Sequence, residues 1–369
     1  MSAKLALLKN NKSKSLAYQT SLSVNRAKII SGRTEIIRLS SNENAYGPSP
    51  RALSCLNNTK ELLQRYPDDT YEALKEKLSK NLSVSPSKLV LGNGSSEIIQ
   101  FIVNAFLTPD DQVLMSKHAF SLYRVLSEKA QAEVKLLLDK GWKNNLEDFV
   151  QAIGEKTKLI FIANPNNPTG TMLSSKELKS FLMKVPEHIT VVIDEAYAEF
   201  ITHPDYQSMV PQLAQYKNLI VLRTFSKAYG LAGLRLGYAI ANEAIIEKLN
   251  LHRNPFNVNT VAAEVAAVAL EDQLHIQATV EKNCIELMKF KQFLSLHNLS
   301  YIDSLTNFIC IRLFEKTELV YQQLLKKGIL TRTLREYDMA DFLRISIGTK
   351  EEMDECKKAL LTILKGFAL

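Results

Sequence analysis

The chain has 369 residues, 46% of them apolar and 23% charged, and a formal net charge of +7. That length exceeds what one core usually fills and predicts two domains, and the composition is that of a chain with a full buried interior. No apolar run reaches membrane-span length and no signal region opens the chain, so a cytoplasmic protein with no membrane partner is expected.

The four cysteines (Cys55, Cys284, Cys310, Cys356) form no CxxC pair, which fits a reducing compartment and argues against structural zinc. The six histidines are equally dispersed, so no metal site is expected. The first forty residues are polar, basic (Lys4, Lys9, Lys12, Lys14, Arg26, Lys28) and weakly periodic, ending in the turn-rich RLSSNENAYGPSP. Basic residues form no dense patch interleaved with aromatics, so no nucleic-acid partner is expected.

From about Ser87, strands and helices alternate. KLVLGNG reads as a strand and turn, SSEIIQFIVNAFL as a helix, and DQVLMS as a second strand. KLIFIAN is a short buried strand, PNNPTG a loop, and SSKELKSFLMKV an amphipathic helix capped by Ser174 or Ser175. ITVVIDEAY, NLIVLRTFS and LRLGYAIAN are further apolar strands. The alternation predicts an α/β fold with a mostly parallel, doubly wound sheet. Beyond about Val261 a long Ala- and Val-rich helical region precedes short strands (FICIRLF, FLRISIG) and helices (TELVYQQLLKKG, EEMDECKKALLTILKGF). The expected division is an arm, 1–43, that joins the small domain; a large domain, 44–262; and a small α+β domain, 263–369.

The stretch RTFSKAYGLAGLRLGY, residues 223–238, carries the chemistry. It sets Lys227 among Thr224, Ser226 and a glycine-rich turn, with Arg235 close enough to fold back. A partly desolvated lysine amine can form a Schiff base with an aldehyde. The hydroxyls and guanidinium beside it can hold a phosphate dianion through charge-assisted bonds. Aldehyde plus phosphate describes pyridoxal 5′-phosphate, with Lys227 as its catalytic lysine. In an open α/β sheet, ligands sit beyond the carboxyl ends of the strands, and the other conspicuous polar residues fall there. Asp194 suits the ring nitrogen, Asn167 and Tyr197 the phenolic oxygen, and Ser95 and Ser96, opening a helix, the phosphate. Phe120, in HAFSLY, is placed to stack on the ring. GNGSSE has Glu97 where a dinucleotide fingerprint needs a small residue, which disfavours that alternative.

Together SNENAYGPSP, RYPD, GNGSSEII, HAFSLY, NPNNPTG, DEAYAEF, RTFSKAYGLAGLRLGY, PFNVN and LRISIGT resemble the class II aminotransferases among the fold-type I pyridoxal-phosphate enzymes. The likeness runs from about Leu39 to Gly348. It implies a transferase of that fold and a homodimer in which Tyr66, from RYPD, reaches the neighbouring subunit's cofactor phosphate. It also implies a substrate grip from Tyr18, Asn44, Arg332 and Arg344. The branch implied works in histidine biosynthesis, pairing L-glutamate and 2-oxoglutarate with a phosphorylated imidazole amino alcohol. Aromatic aminotransferases and a threonine-phosphate decarboxylase share nearly all the cofactor motifs, so both remain alternatives. The chain departs from the usual pattern at Ala17, Ala45 and Asp338, and Arg335 and Glu336 add charge beside the presumed substrate mouth.

Overall fold

The computed structural model describes residue 18 and residues 20–366. The lysines Lys4, Lys9, Lys12 and Lys14, and Ala17, lie outside the described residues.

A seven-stranded sheet organises the large domain. Its spatial order is Leu89–Asn93, Leu236–Ala241, Leu219–Thr224, Thr190–Asp194, Thr157–Ala163, Gln112–Ser116 and Glu133–Leu137. Only Leu236–Ala241 runs antiparallel to its neighbours. Successive side chains of these strands feed two different cores. Leu89, Leu91, Ile160, Ile162, Val191 and Ile193 pack on one face. Val90, Leu159, Phe161, Val192, Ile220 and Leu222 pack on the other. Strands buried on both faces can be apolar throughout, which is why they read as continuous runs in the sequence. The edge strand Glu133–Leu137 alternates exposed and half-buried residues, so EVKLL gave no such signal.

Helices cover both faces. Ser95–Phe106 starts at Gly94, whose φ of +77° lets the chain turn sharply out of the first strand. Ser175–Leu182 is capped by Ser174, not Ser175, in a reciprocal box with Glu177.

The small domain carries an antiparallel sheet in the order Tyr301–Ile302, Phe308–Arg312, Phe342–Ser346, Arg332–Thr333. Ile309, Ile311, Leu343 and Ile345 face the helical core formed with Thr317–Lys326 and Lys350–Lys365. Alternation turns Phe308, Cys310, Phe342 and Arg344 the other way, toward the large domain. The arm joins this domain through a parallel pairing of Ile37–Arg38 with Ile329–Leu330. Helix Val24–Ser31 adds Ala27 to a cluster with Leu325 and Leu330.

The long helical region is two helices, Thr260–Glu271 and Gln273–Leu296, because Asp272 leaves helical geometry and accepts a hydrogen bond from the His275 amide. Ala262, Val265, Ala266, Leu270, Ile276 and Val280 belong to the large-domain core, whereas Leu287, Phe290 and Leu294 belong to the small one. The division of the cores therefore falls inside the second helix, not after residue 262. No helix among the described residues is long and apolar enough to cross a membrane.

Candidate active site

A cavity of about 250 Å³ lies where the carboxyl ends of the large sheet meet the small-domain sheet. Its lining includes Ser95, Ser96, Phe120, Asn167, Asp194, Tyr197, Thr224, Ser226, Lys227 and Arg235 from the large domain, with Arg332 and Arg344 from the small one and Tyr18 from the arm.

Lys227 follows the Leu219–Thr224 strand, and its Nζ donates to the Ser41 carbonyl oxygen at 3.1 Å. Burial, reinforced by the positive charges of Arg344 and Arg235, lowers its pKa to about 8. An amine with that pKa is still mostly protonated near physiological pH, but it has a far larger neutral fraction than an ordinary lysine and can act as nucleophile or base.

Asp194 ends its strand almost fully buried. Its Oδ2 accepts from the Tyr123 hydroxyl at 2.6 Å and its Oδ1 from the Ala196 amide at 3.0 Å. Burial raises its pKa despite those bonds, so a cationic N–H placed against it would be strongly favoured. The loop behind it is anchored by buried Arg223, which bonds Glu195 at 3.0 Å and Glu199 at 2.9 Å. The Tyr197 hydroxyl accepts from the Asn42 amide at 3.0 Å, and its ring packs edge-on to Phe308 at 5.2 Å. Phe120 meets Tyr18 and Tyr123 edge-on at 5.8 and 5.6 Å.

A phosphate-sized cup sits at the other end. Ser95 and Ser96 open the twelve-residue helix Ser95–Phe106, whose N-terminal amides favour an anion. Arg235, at φ +57°, turns back so that its guanidinium meets Ser226 Oγ at 3.4 Å. A Cβ on Gly94 would collide with that guanidinium. The donor set therefore fits a flat ring bearing an aldehyde, a basic nitrogen and a phosphate, which is pyridoxal 5′-phosphate.

The small-domain wall faces this cup. Arg332 and Arg344 are direct cross-strand partners and both line the cavity. Arg344 donates to Asn167 Oδ1 at 2.6 Å and to the Ser40 carbonyl oxygen at 2.8 Å; its buried Nε has no hydrogen-bond partner among the described residues. Arg332 donates through Nε to Glu336 at 3.1 Å and through Nη1 to Ser21 at 2.8 Å. Tyr18 lies beside them, its pKa raised to about 12, chiefly by burial, so it stays a neutral donor.

Two predicted residues lie elsewhere. Asn44 is not in the cavity: its amide donates to the Gly47 and Ala228 carbonyls, and its Oδ1 accepts from the Tyr46 amide. It ties a turn, and Asn42, at φ +55°, is the asparagine that faces the site. Tyr66 is 82% exposed and stacks on Phe256 at 4.8 Å, outside the cavity of its own chain. Tyr123, Tyr337, Ser41 and Asn42 line the cavity and were not marked by the sequence. Tyr123 was within reach of sequence reasoning, one helical turn after Phe120 on the same face.

Residues 34–360 match the model of the family described as aminotransferase class I and II. The chain is 41% identical over 348 residues to a histidinol-phosphate aminotransferase of Geobacillus thermodenitrificans, covering 94% of this chain and 95% of that relative. The crystal structure of a histidinol-phosphate aminotransferase from Sinorhizobium meliloti, in complex with pyridoxal-5′-phosphate, superposes with a TM-score of 0.89 at 24% identity over 97% of this chain and 98% of that one. An L-threonine-O-3-phosphate decarboxylase from Porphyromonas gingivalis also superposes, with a TM-score of 0.79 at 24% identity over 89% and 100% of the two chains. The fold therefore serves more than one reaction, and the choice among them rests on sequence and on the site.

Proposed function

The chain belongs to the class I and II aminotransferases, and from that premise we propose that it transfers an amino group from L-glutamate to imidazole-acetol phosphate. The products are 2-oxoglutarate and L-histidinol phosphate, in histidine biosynthesis. Its cofactor, pyridoxal 5′-phosphate, supplies an electron sink for the negative charge that develops on the substrate carbon bearing nitrogen.

The chain's residues divide the remaining work. Lys227 would hold the cofactor through Nζ, and its amine would take the proton from that substrate carbon; its lowered pKa suits both tasks. Asp194, held by Tyr123, keeps the ring nitrogen protonated. Tyr197 and Asn167 orient the ring's phenolic oxygen, and Phe120 covers one ring face. Thr224, Ser226 and Arg235, with Ser95 and Ser96, bind the cofactor phosphate.

The observation that carries the substrate assignment is the direct cross-strand pairing of Arg332 and Arg344 on a face turned into the cavity. Like charges placed opposite one another destabilise a sheet. Glu336 offsets part of the Arg332 charge, and the two guanidinium groups on one face still suit a substrate anion gripped between them, with Tyr18 as a further donor. Tyr18, which lines the cavity and packs edge-on to Phe120, would meet an imidazole or a benzene ring equally, so it does not separate this reading from an aromatic aminotransferase. Arg332→Ala does separate them. Loss of a charge-assisted bond worth about 1.5–3 kcal/mol should lower kcat/KM for histidinol phosphate roughly ten- to a hundredfold. The rate with phenylalanine should change far less; equal losses with both would favour the aromatic reading.

Two further features complete the proposal. Tyr66, exposed and not part of the cavity of its own chain, would reach the cofactor phosphate of a second copy, making a homodimer with two composite sites. The location is cytoplasmic, which four unpaired cysteines suit.

A further inference from the structure

We propose that Trp142 is a positioning residue for the substrate-gripping wall, acting as the seat on which the small domain rests. The inference rests on the reading of Arg332 and Arg344 as the grip.

Trp142 is the chain's single tryptophan. It lies at the tip of a short hairpin in which Asp139–Lys140 pairs with Lys143–Asn144, just beyond the large sheet's edge strand. Its φ is +65°, a conformation that bulky residues rarely adopt and that the surroundings must enforce. Those surroundings are specific. The Asp139 carboxylate, nearly inaccessible, accepts from Ser116 Oγ at 2.6 Å and pairs with His118 Nδ1 at 2.7 Å. Ser116 ends a core strand of the sheet and His118 follows it, so the hairpin base is tied to the rigid part of the large domain. At the tip, the Trp142 carbonyl accepts from Thr171 Oγ1 at 2.7 Å, and its ring lies 5.4 Å from the His118 ring.

The other side of the ring belongs to the small domain. Trp142 meets Phe342 edge-on at 4.9 Å and packs against a cluster of Ile302, Cys310, Leu334, Tyr337, Met339 and Phe342. Among the described residues it is the one partly buried hydrophobic side chain that packs on this cluster. The members flank the arginines on both sides. Phe342 is two residues before Arg344 on one strand and so shares its face; Leu334 and Tyr337 lie in the turn after Arg332. Polar contacts cross the same seam where Arg344 donates to Asn167 Oδ1 at 2.6 Å, Cys310 Sγ to the Pro168 carbonyl at 2.9 Å and the Leu305 amide to the Gly170 carbonyl at 2.9 Å, and two more are weak. Lys117 and Asp338 are 3.6 Å apart and largely exposed, and Ser121 reaches Tyr337 only at 3.5 Å. Trp142 is therefore an apolar stop on the hairpin side which, together with Phe308 against Tyr197 and the Arg344–Asn167 bond, sets how far both guanidinium groups stand from the cofactor cup. It does not line the cavity and touches neither cofactor nor substrate residues of the large domain.

The test uses enzyme loaded with pyridoxal phosphate and L-glutamate as the probe, so that it does not depend on which oxo acid is the acceptor. Trp142→Ala should raise KM for L-glutamate roughly tenfold or more while kcat falls less, because binding by the arginines is displaced and the proton-transfer end is untouched. Cofactor affinity should stay at the wild-type value. Trp142→Phe, which keeps an aromatic stop, should recover most of the loss. Asp139→Asn, which loosens the hairpin base, should raise KM in the same direction by a smaller factor, and it keeps the proposal testable should the alanine variant fail to fold. An unchanged KM in Trp142→Phe and Asp139→Asn together with Trp142→Ala would overturn the proposal. So would cofactor affinity and KM deteriorating in parallel, the mark of a plain packing defect. Failure of the histidinol-phosphate reading would look different: wild-type enzyme would react with L-glutamate but not with histidinol phosphate.

Discussion

Lys227 shows what a residue-scale reading can and cannot reach. Its proposed role is read from sequence, because an amine, two hydroxyls and a returning arginine around a strand end have few other uses. Its pKa does not, since burial and the charge of Arg344, a residue of the other domain, set it. The consequence is measurable. The amine must lose its proton to react with an aldehyde, so incorporation of pyridoxal phosphate into ligand-free enzyme should be slow below about pH 8 and level off above it. An inflection in the ordinary lysine range, two or more units higher, would contradict the assigned environment. Asn42 and Asn44 mark the limit of such reading. They stand two apart in an irregular segment with no period to assign a face, and the left-handed backbone at Asn42 turns its amide to Tyr197. The Ser41 contact was equally invisible, because a backbone carbonyl carries no residue signature.

Whole elements were legible where burial is two-sided and caps are strong. The inner strands are unbroken apolar runs, and Ser174 with Glu177 announces a helix start. The edge strand Glu133–Leu137 and the arm helix Val24–Ser31 were not read, since each is largely exposed and shows little apolar pattern. The break at Asp272 was readable in principle, as aspartate is a preferred cap, but the alanine-rich flanks masked it. At the first strand-to-helix turn, geometry makes a sharp prediction. Gly94→Ala combines an unfavourable positive φ with a collision against the Arg235 guanidinium. The variant should fold with a stability loss of about 1–2 kcal/mol and bind pyridoxal phosphate at least roughly tenfold more weakly. Cofactor affinity equal to wild type would remove Arg235 from the phosphate cup.

In the proposed reaction the work is divided between parts of the molecule: the large-sheet side would hold the cofactor, and the arm and the small-sheet wall would grip the substrate anion. The length of the chain leads to an expectation of two domains, and the helix Gln273–Leu296 contributes to two separate hydrophobic clusters, Ile276 and Val280 to one and Leu287, Phe290 and Leu294 to the other. A second copy is the remaining component of the proposal. Tyr66 and Phe256 form an exposed aromatic pair, and Leu63 and Leu251, close to them in sequence, are exposed as well, which a subunit interface would account for. Sedimentation should therefore give a dimer, and Tyr66→Phe should keep the dimer while releasing cofactor roughly tenfold more readily. A monomer, or wild-type cofactor retention, would argue against the composite site. The central claim is the substrate, and one half-reaction addresses it most directly. Enzyme loaded with pyridoxal phosphate is mixed separately with histidinol phosphate and with phenylalanine, and the cofactor absorbance is followed to the aminated form. The account predicts much faster conversion by histidinol phosphate; faster conversion by phenylalanine would contradict it and assign the paired arginines to a different substrate.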